Sequence, residues 1–392
     1  MRFFLASVTV CFALATSAAA QSGAGPEAAP ARPGVDTAFA RAQHLRHGIN
    51  ASSWFSQSRD YSAFHTDRYT DADDIALIAK LGFDNVRLSI DGEALEQSFR
   101  SAQWGGKDDF VKRLDKAVDT ILADGLAVQI DVHPSDEFKH KLRSGSDDVD
   151  QFVELWRELA AHYANRNPER VFFEILNEPE VDDSYRWAGI QTRVAAAIRE
   201  VAPRNTIIAT GASWSDIRDL LRLEPLADGN VIYNFHFYDP HEFTHQGATW
   251  GVPWWSETHS IPYPVPSDVL SPAGMQPLLA QVPDLADRFE LENYFLDDWN
   301  AQHIQALIDE AAAWGRENHV PLICNEFGVF RDHSDPASRA NWIRDTRTAL
   351  EADGIGWAMW DYRGNFGVVT KQDGQATLVD EAVMKALGLS AK

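Results

Sequence analysis

The chain has 392 residues, 45% of them hydrophobic, and a formal net charge of −23 from 35 Lys and Arg against 58 Asp and Glu. That length supports one large core, and α/β barrels of this size commonly form a single domain. So acidic a surface repels nucleic acid and anionic membranes and tolerates neutral polymers, so neither a nucleic-acid nor a membrane partner is expected.

Residues 1–20 carry Arg2, then an apolar stretch from Phe3 to Ala15, then Ala18-Ala19-Ala20 before Gln21. This order, too short to span a bilayer, reads as a secretory signal peptide and predicts a secreted or periplasmic protein. Cys11 leaves with it, so Cys324 is the one cysteine expected in the mature chain and an internal disulfide is excluded. Residues 21–40, rich in Ala, Pro and Gly and without periodicity, read as a flexible leader, and residues 41–392 as the folded domain.

From Leu45 onward short β-type runs alternate with amphipathic helical runs. Strands are predicted near 45–50, 84–90, 126–133, 171–177, 206–210, 231–238, 320–326 and 355–360. Helices are predicted near 71–81, 107–124, 149–165, 185–201, 214–222, 300–317, 336–352 and 379–387. Eight of each, alternating, is the requirement of an α/β fold of the closed (β/α)8 TIM-barrel type. Parity supports it: Asn85, Arg87 and Ser89 share one face of the second strand, Gln129, Asp131 and His133 of the third, and Asn234, His236 and Tyr238 of the sixth. These polar sets are expected inside the barrel. Glu326 is expected to share parity with Leu322 and Cys324, and Glu178 with Phe172, Glu174 and Leu176.

After the sixth strand, residues 239–299 form a long insertion holding Trp250, Trp254, Trp255, Tyr263 and several prolines. Its aromatic content predicts a wall or cover for a cleft. Within it His241-Glu242-Phe243-Thr244-His245 matches the zinc-protease pattern, but that pattern requires a helix, and here it starts a loop after Asp239-Pro240. It is read as a chance match, and neither metal nor cofactor is expected.

Sites in this barrel lie at the C-terminal ends of the strands, where Asn50, Arg87, His133, Asn177, Glu178, His236, Tyr238 and Glu326 fall. Two carboxylates, one acid and one nucleophile, are the equipment for cleaving glycosidic bonds. A catalytically silent carbohydrate-binding protein would have no use for both glutamates together with Arg87 and Tyr238.

The segments Ile175-Leu176-Asn177-Glu178-Pro179 and Asn325-Glu326-Phe327-Gly328 resemble those of the cellulase-type glycoside hydrolases of family 5, in the retaining clan of barrel enzymes. Asn85-Val86-Arg87, Asp131-Val132-His133-Pro134, His236-Phe237-Tyr238 and Trp357-Ala358-Met359-Trp360 add to the likeness, which runs from about His47 to Trp360. The resemblance implies Glu178 as general acid/base and Glu326 as nucleophile. It also implies that Arg87 and Tyr238 hydrogen-bond Glu326, that His236 meets Glu178 or the substrate, and that His133 lines the sugar subsite. Asn177 resembles the amide that binds a 2-hydroxyl, and Trp360 the platform under the sugar. The acid/base chemistry calls for a Glu178 pKa raised by burial and by the nucleophile's charge, and for an ionised Glu326. The implied substrate is a polysaccharide or oligosaccharide, with β-1,4-glucan first and β-mannan, xyloglucan or another β-glucan as alternatives; the sequence leaves the oligomeric state open, with a monomer as the default. Trp54 and Trp214 are further subsite candidates, with Trp104 and Trp187 behind them; Trp357 is expected to pack against helices.

Overall fold

The computed structural model describes residues 32–103, 109–372 and 376–390. The signal peptide, most of the leader and Trp104 lie outside the described residues. Eight strands, β1 (His47–Phe55), β2 (Asn85–Ile90), β3 (Ala127–Val132), β4 (Val171–Glu174), β5 (Thr206–Thr210), β6 (Val231–Phe237), β7 (Leu322–Phe327) and β8 (Gly356–Met359), close into a barrel in sequence order. The pairing is parallel throughout, ending with β1 against β8. This is the (β/α)8 TIM barrel, with its outer helices covering the apolar strand faces in one large cluster that includes Val86, Leu88, Val128, Ile130 and Phe235. Among the described residues no helix is long and apolar enough to cross a membrane.

The barrel interior changes character along its axis. At the N-terminal end Ala127, Phe172, Ile208, Ile232 and Ile323 form a small apolar cluster closed from below by Ala38 and Leu45. Ala38 belongs to a helix, Val35–Ala42, that begins inside the stretch read as leader and runs past its end. The leader therefore stops short of residue 40. Small residues spaced at Val35 and Ala38 make a weak apolar stripe, and the helix is held mainly by tertiary contacts, with Arg41 bonding Glu169 at 2.6 Å and Thr206 at 3.1 Å.

Above that plug the interior is polar, as strand parity predicts for β2, β3 and β6. The two glutamate strands behave differently. In β7, Leu322 and Cys324 face the outer cluster, while Asn325 bonds the interior residues Asn234 (2.8 Å) and Glu174 (2.8 Å). The pairing with β6 jumps from Phe235↔Cys324 to His236↔Glu326, a bulge that sets Asn325 and Glu326 on the same side. In β4 the regular strand ends at Glu174, Ile175 and Leu176 both join the outer cluster, and Glu178 reaches the cleft from a left-handed backbone at φ 42°. Both glutamates end inside, through irregular backbone rather than through the alternation expected of them.

The insertion at 239–299 is largely folded. It holds a 3-10 turn, Pro253–Glu257, and helices Pro272–Leu279 and Leu285–Leu296, which bury Met275, Leu279, Leu291, Tyr294 and Phe295. Pro253 and Pro272 read as loop signals, but they sit in first helical turns, where a missing N–H costs nothing. Helices Gly92–Gln103 and Asp136–Leu142 were also not expected. The helix predicted at 214–222 shrinks to Ile217–Leu220, because Trp214 and Ser215 take φ 47° and 56°.

Candidate active site

The C-terminal end of the barrel opens into a cleft of about 1100 Å3 whose lining includes His133, Asn177, Glu178, His236, Tyr238, Glu326 and Trp360. Arg87 lies beneath its floor, fully buried. Its guanidinium grips Glu174 in bidentate fashion (Nε to Oε2 and Nη2 to Oε1, both 2.7 Å), lies 3.0 Å from Asp131, and donates to Asn177 Oδ1 (2.9 Å), Asn50 Oδ1 (3.0 Å) and Glu326 Oε1. Burial opposes its charge, but Asp131, Glu174 and Glu326 outweigh burial and hold its pKa well above the ordinary value. Asn50 also donates to the carbonyls of Asn325 (2.9 Å) and Met359 (3.2 Å), so it belongs to the barrel network, not to the cleft.

Glu326 is held at both oxygens, by Arg87 at Oε1 and by the Tyr238 hydroxyl at Oε2 (3.0 Å). Burial, with Glu326 and Glu178 adding to it, pushes the Tyr238 phenol far up, so it remains a donor. Glu178 Oε1 pairs with His236 Nδ1 at 2.8 Å, and the same nitrogen lies 3.5 Å from Glu326 Oε2. One oxygen of each glutamate and one His236 nitrogen lie within 4.8 Å of one another.

The protonation pattern corrects one expectation. Burial alone would raise Glu178, but its side chain keeps 26% of its surface exposed, and the hydrogen bond and charge of His236 hold the carboxyl below the usual carboxylate range. Burial likewise opposes charge on His236, yet Glu326 and Glu178 raise its pKa above the ordinary 6.5. The two groups are joined by one hydrogen bond and titrate as a pair.

His133 is neutral, pushed down to about 3 chiefly by burial. With Asp131 Oδ2 3.0 Å from Nδ1, that nitrogen carries the proton, and Gln57 donates to Nε2 at 3.3 Å. Asp131 is itself raised to about 6 by burial, against the pull of Arg87. The His133 ring stacks on Trp360 at 5.7 Å, leaving the indole as part of the cleft wall. Asn177, accepting from Arg87 through Oδ1, has its NH2 end to offer the cleft.

Other aromatic candidates divide. Trp214 lines the cleft with 58% exposure, whereas Trp54 is packed in the core and donates to the Thr66 carbonyl at 2.8 Å. Trp187 and Trp357 are fully buried. The insertion contributes Trp250 and Trp255 to the wall, as its composition predicts. His241 and His245 line it too: their segment makes a single helical turn, His241–Thr244, and the rings stack at 5.0 Å and pack against Trp255. Among the described residues the one cluster with metal-ligand spacing is Glu178, His236 and Glu326, which excludes this pair.

Sequence reasoning missed Lys139, 4% exposed in the cleft wall, because the helix carrying it has only seven residues. It also missed Asp361, which follows Trp360, accepts from Ser52 and from the Gly364 amide (3.0 Å), and is raised to about 6 by burial.

A (β/α)8 barrel carrying paired glutamates at the ends of its fourth and seventh strands, under an aromatic-walled cleft, defines a glycoside hydrolase. The chain belongs to glycosyl hydrolase family 5, the cellulase family, whose family model matches residues 48–366. It is 30% identical to Endoglucanase C of Acetivibrio thermocellus over 325 residues, 81% of this chain and 91% of that protein. Endoglucanase 3 of Fibrobacter succinogenes is also 30% identical, over 89% of this chain, which spans about half (53%) of that longer relative. The crystal structure of endoglucanase Cel5A from Thermotoga maritima superposes with a TM-score of 0.71 at 25% identity, covering 89% of this chain and 99% of that one.

Proposed function

We propose that this protein is a secreted, retaining β-1,4-glucanase that cleaves within chains by double displacement. The observation that carries the reading is the approach of the two carboxyl groups, within 4.8 Å at their nearest oxygens. Retaining glycosidases hold their carboxyls about 5–5.5 Å apart, while inverting ones leave about 6.5–9.5 Å for a water molecule. The relatives named endoglucanases support glucan as the polymer, as does Thermotoga maritima Cel5A solved with cellobiose; the same enzyme has been solved with mannotriose, which keeps mannan in the test. The signal-like residues 1–20 support export.

In this reading Glu326 attacks the anomeric carbon while the proton shared by His236 and Glu178 passes through Glu178 to the departing sugar oxygen. A glycosyl-enzyme ester forms on Glu326 and the leaving sugar departs. Glu178 then removes a proton from water, which attacks the same carbon and restores Glu326 with net retention. Tyr238 gives up its bond to Oε2 as that oxygen becomes covalent. Trp360 supports the sugar ring, His133 borders it, and the Asn177 amide meets the 2-hydroxyl.

Incubation with carboxymethyl-cellulose, mannan, xyloglucan and mixed-linkage glucan, with products sized and their anomers followed by NMR, tests the proposal. Fastest release of mid-length fragments from the β-1,4-glucans, initially as β-anomers, is expected. Initial α-anomers would overturn retention, and faster mannan cleavage would overturn the substrate.

The pair also sets a pH dependence. Protonation of the leaving group needs a proton on Glu178–His236, so kcat/KM falls as pH rises through the upper pKa of the pair, which lies above 6.5. His236→Asn leaves that proton to a carboxyl alone, and the alkaline limb is expected to move to lower pH. A limb that stays in place would show that His236 does not hold the catalytic proton.

A further inference from the structure

Glu178 departs from its strand through a left-handed backbone at φ 42°, a conformation that a non-glycine residue keeps only when its surroundings impose it. Two structures impose it here. On one side the segment is laced to the end of β5: the Trp214 amide donates to the Pro179 carbonyl (3.1 Å), Glu180 bridges Ser213, and the Val181 amide donates to Ala212 (3.2 Å). On the other side Glu180, two residues beyond Glu178, is held by the helix Asp136–Leu142 and its C-cap. Its Oε1 faces Lys139 Nζ at 3.4 Å, its Oε2 meets His140 Nε2 at 3.0 Å and Arg143 Nη2 at 3.3 Å, and its carbonyl accepts from Arg143 Nε. The Glu180 side chain is 10% exposed and that of Lys139 5%, so this contact is screened little by water, while His140 and Arg143 close over it from the more exposed side. The helix is in turn fixed from behind, since Arg186 donates to the carbonyls of Leu142 (2.7 Å) and Gly145 (3.0 Å).

We infer that Glu180, gripped by Lys139, His140 and Arg143, is a positioning residue that fixes Glu178 for proton transfer to the leaving group, with the helix Asp136–Leu142 as its anchor. None of the four needs to touch the reacting atoms. Lys139 adds a field as well as a grip: after burial and His236, its charge is the next influence on the Glu178 carboxyl, acting to lower it. The inference rests on the reading of Glu178 as the acid. Its signature is selective, because a misplaced acid matters only when the leaving group needs a proton.

The test compares kcat/KM, which reports glycosyl-enzyme formation, for Glu180→Gln on aryl cellobiosides with a phenyl or a dinitrophenyl leaving group. The expected result is a loss of about tenfold on the phenyl substrate and less than about twofold on the dinitrophenyl one, with the variant still folded at the assay temperature. Equal losses on both substrates, or no loss on either, would overturn the inference. Should Glu180→Gln not fold, Arg143→Met, altering a side chain 37% exposed, reads the same contrast. Glu178→Gln is measured alongside. If it shows the contrast and the Glu180 and Arg143 variants do not, the positioning role falls alone; if it shows none, the assignment of Glu178 as acid falls with it.

Discussion

Glu326→Gln is expected to abolish turnover on soluble β-glucan, and Glu178→Gln to lower it by about two to four orders of magnitude, the span typical of lost general acid–base catalysis. The two losses differ in kind. An activated aryl glycoside departs without a proton, so Glu178→Gln still forms the glycosyl-enzyme rapidly and then stalls, because water lacks its base. Glu326→Gln forms no ester with any leaving group. Rapid-mixing measurement of the aryl burst, with mass spectrometry of the trapped protein, separates them. A burst in Glu326→Gln and none in Glu178→Gln would reverse the roles.

Arg87→Met is expected to cost about 3–5 kcal/mol of folding stability, the range for breaking a buried ion pair from one side, besides disabling the site. The magnitude follows from what stays behind: Glu174, Asp131 and Glu326 would lose the buried guanidinium that all three share. An exposed pair such as Lys112–Asp109, whose Lys side chain is 78% accessible, is the opposite case, because water screens it and its loss leaves no buried charge. Arg87→Lys is not a conservative rescue, since one ammonium cannot reproduce the bidentate grip on Glu174 while also reaching Glu326. Urea melts of the two variants check this. A loss below about 1 kcal/mol in Arg87→Met would show that the carboxyl groups take up protons and no longer need the cation.

Both effects depend on positions that were partly legible. Arg87 and His236 were readable because β2 and β6 alternate regularly, and period-2 alternation states a facing direction wherever a strand is regular. Glu326 was found by its motif, but its direction follows from the bulge at Asn325, which arises in pairing with β6 and leaves no mark in local periodicity. Trp54 and Trp214 looked equivalent as aromatics just beyond strands. One became core and the other cleft wall because the Thr66 carbonyl captures the indole of Trp54, while the backbone turn at Trp214 carries its ring outward. The helix Val35–Ala42 was read as leader because Ala- and Pro-rich sequence carries little intrinsic signal, and its order comes from the barrel floor beneath Phe172 and Ile208.

By itself the sequence determined the eight-fold alternation, the polar interior of the regular strands and the two glutamates with their supporting residues, all properties written in short-range periodicity and motifs. Tertiary structure alone decided that His236 pairs with Glu178, that Arg87 serves three carboxylates, and that Lys139 and Glu180 stand behind Glu178. The physical reason is that charge interaction falls with distance in space and takes no account of distance along the chain. Arg87 and Glu326, 239 residues apart in sequence, become partners only when the barrel closes.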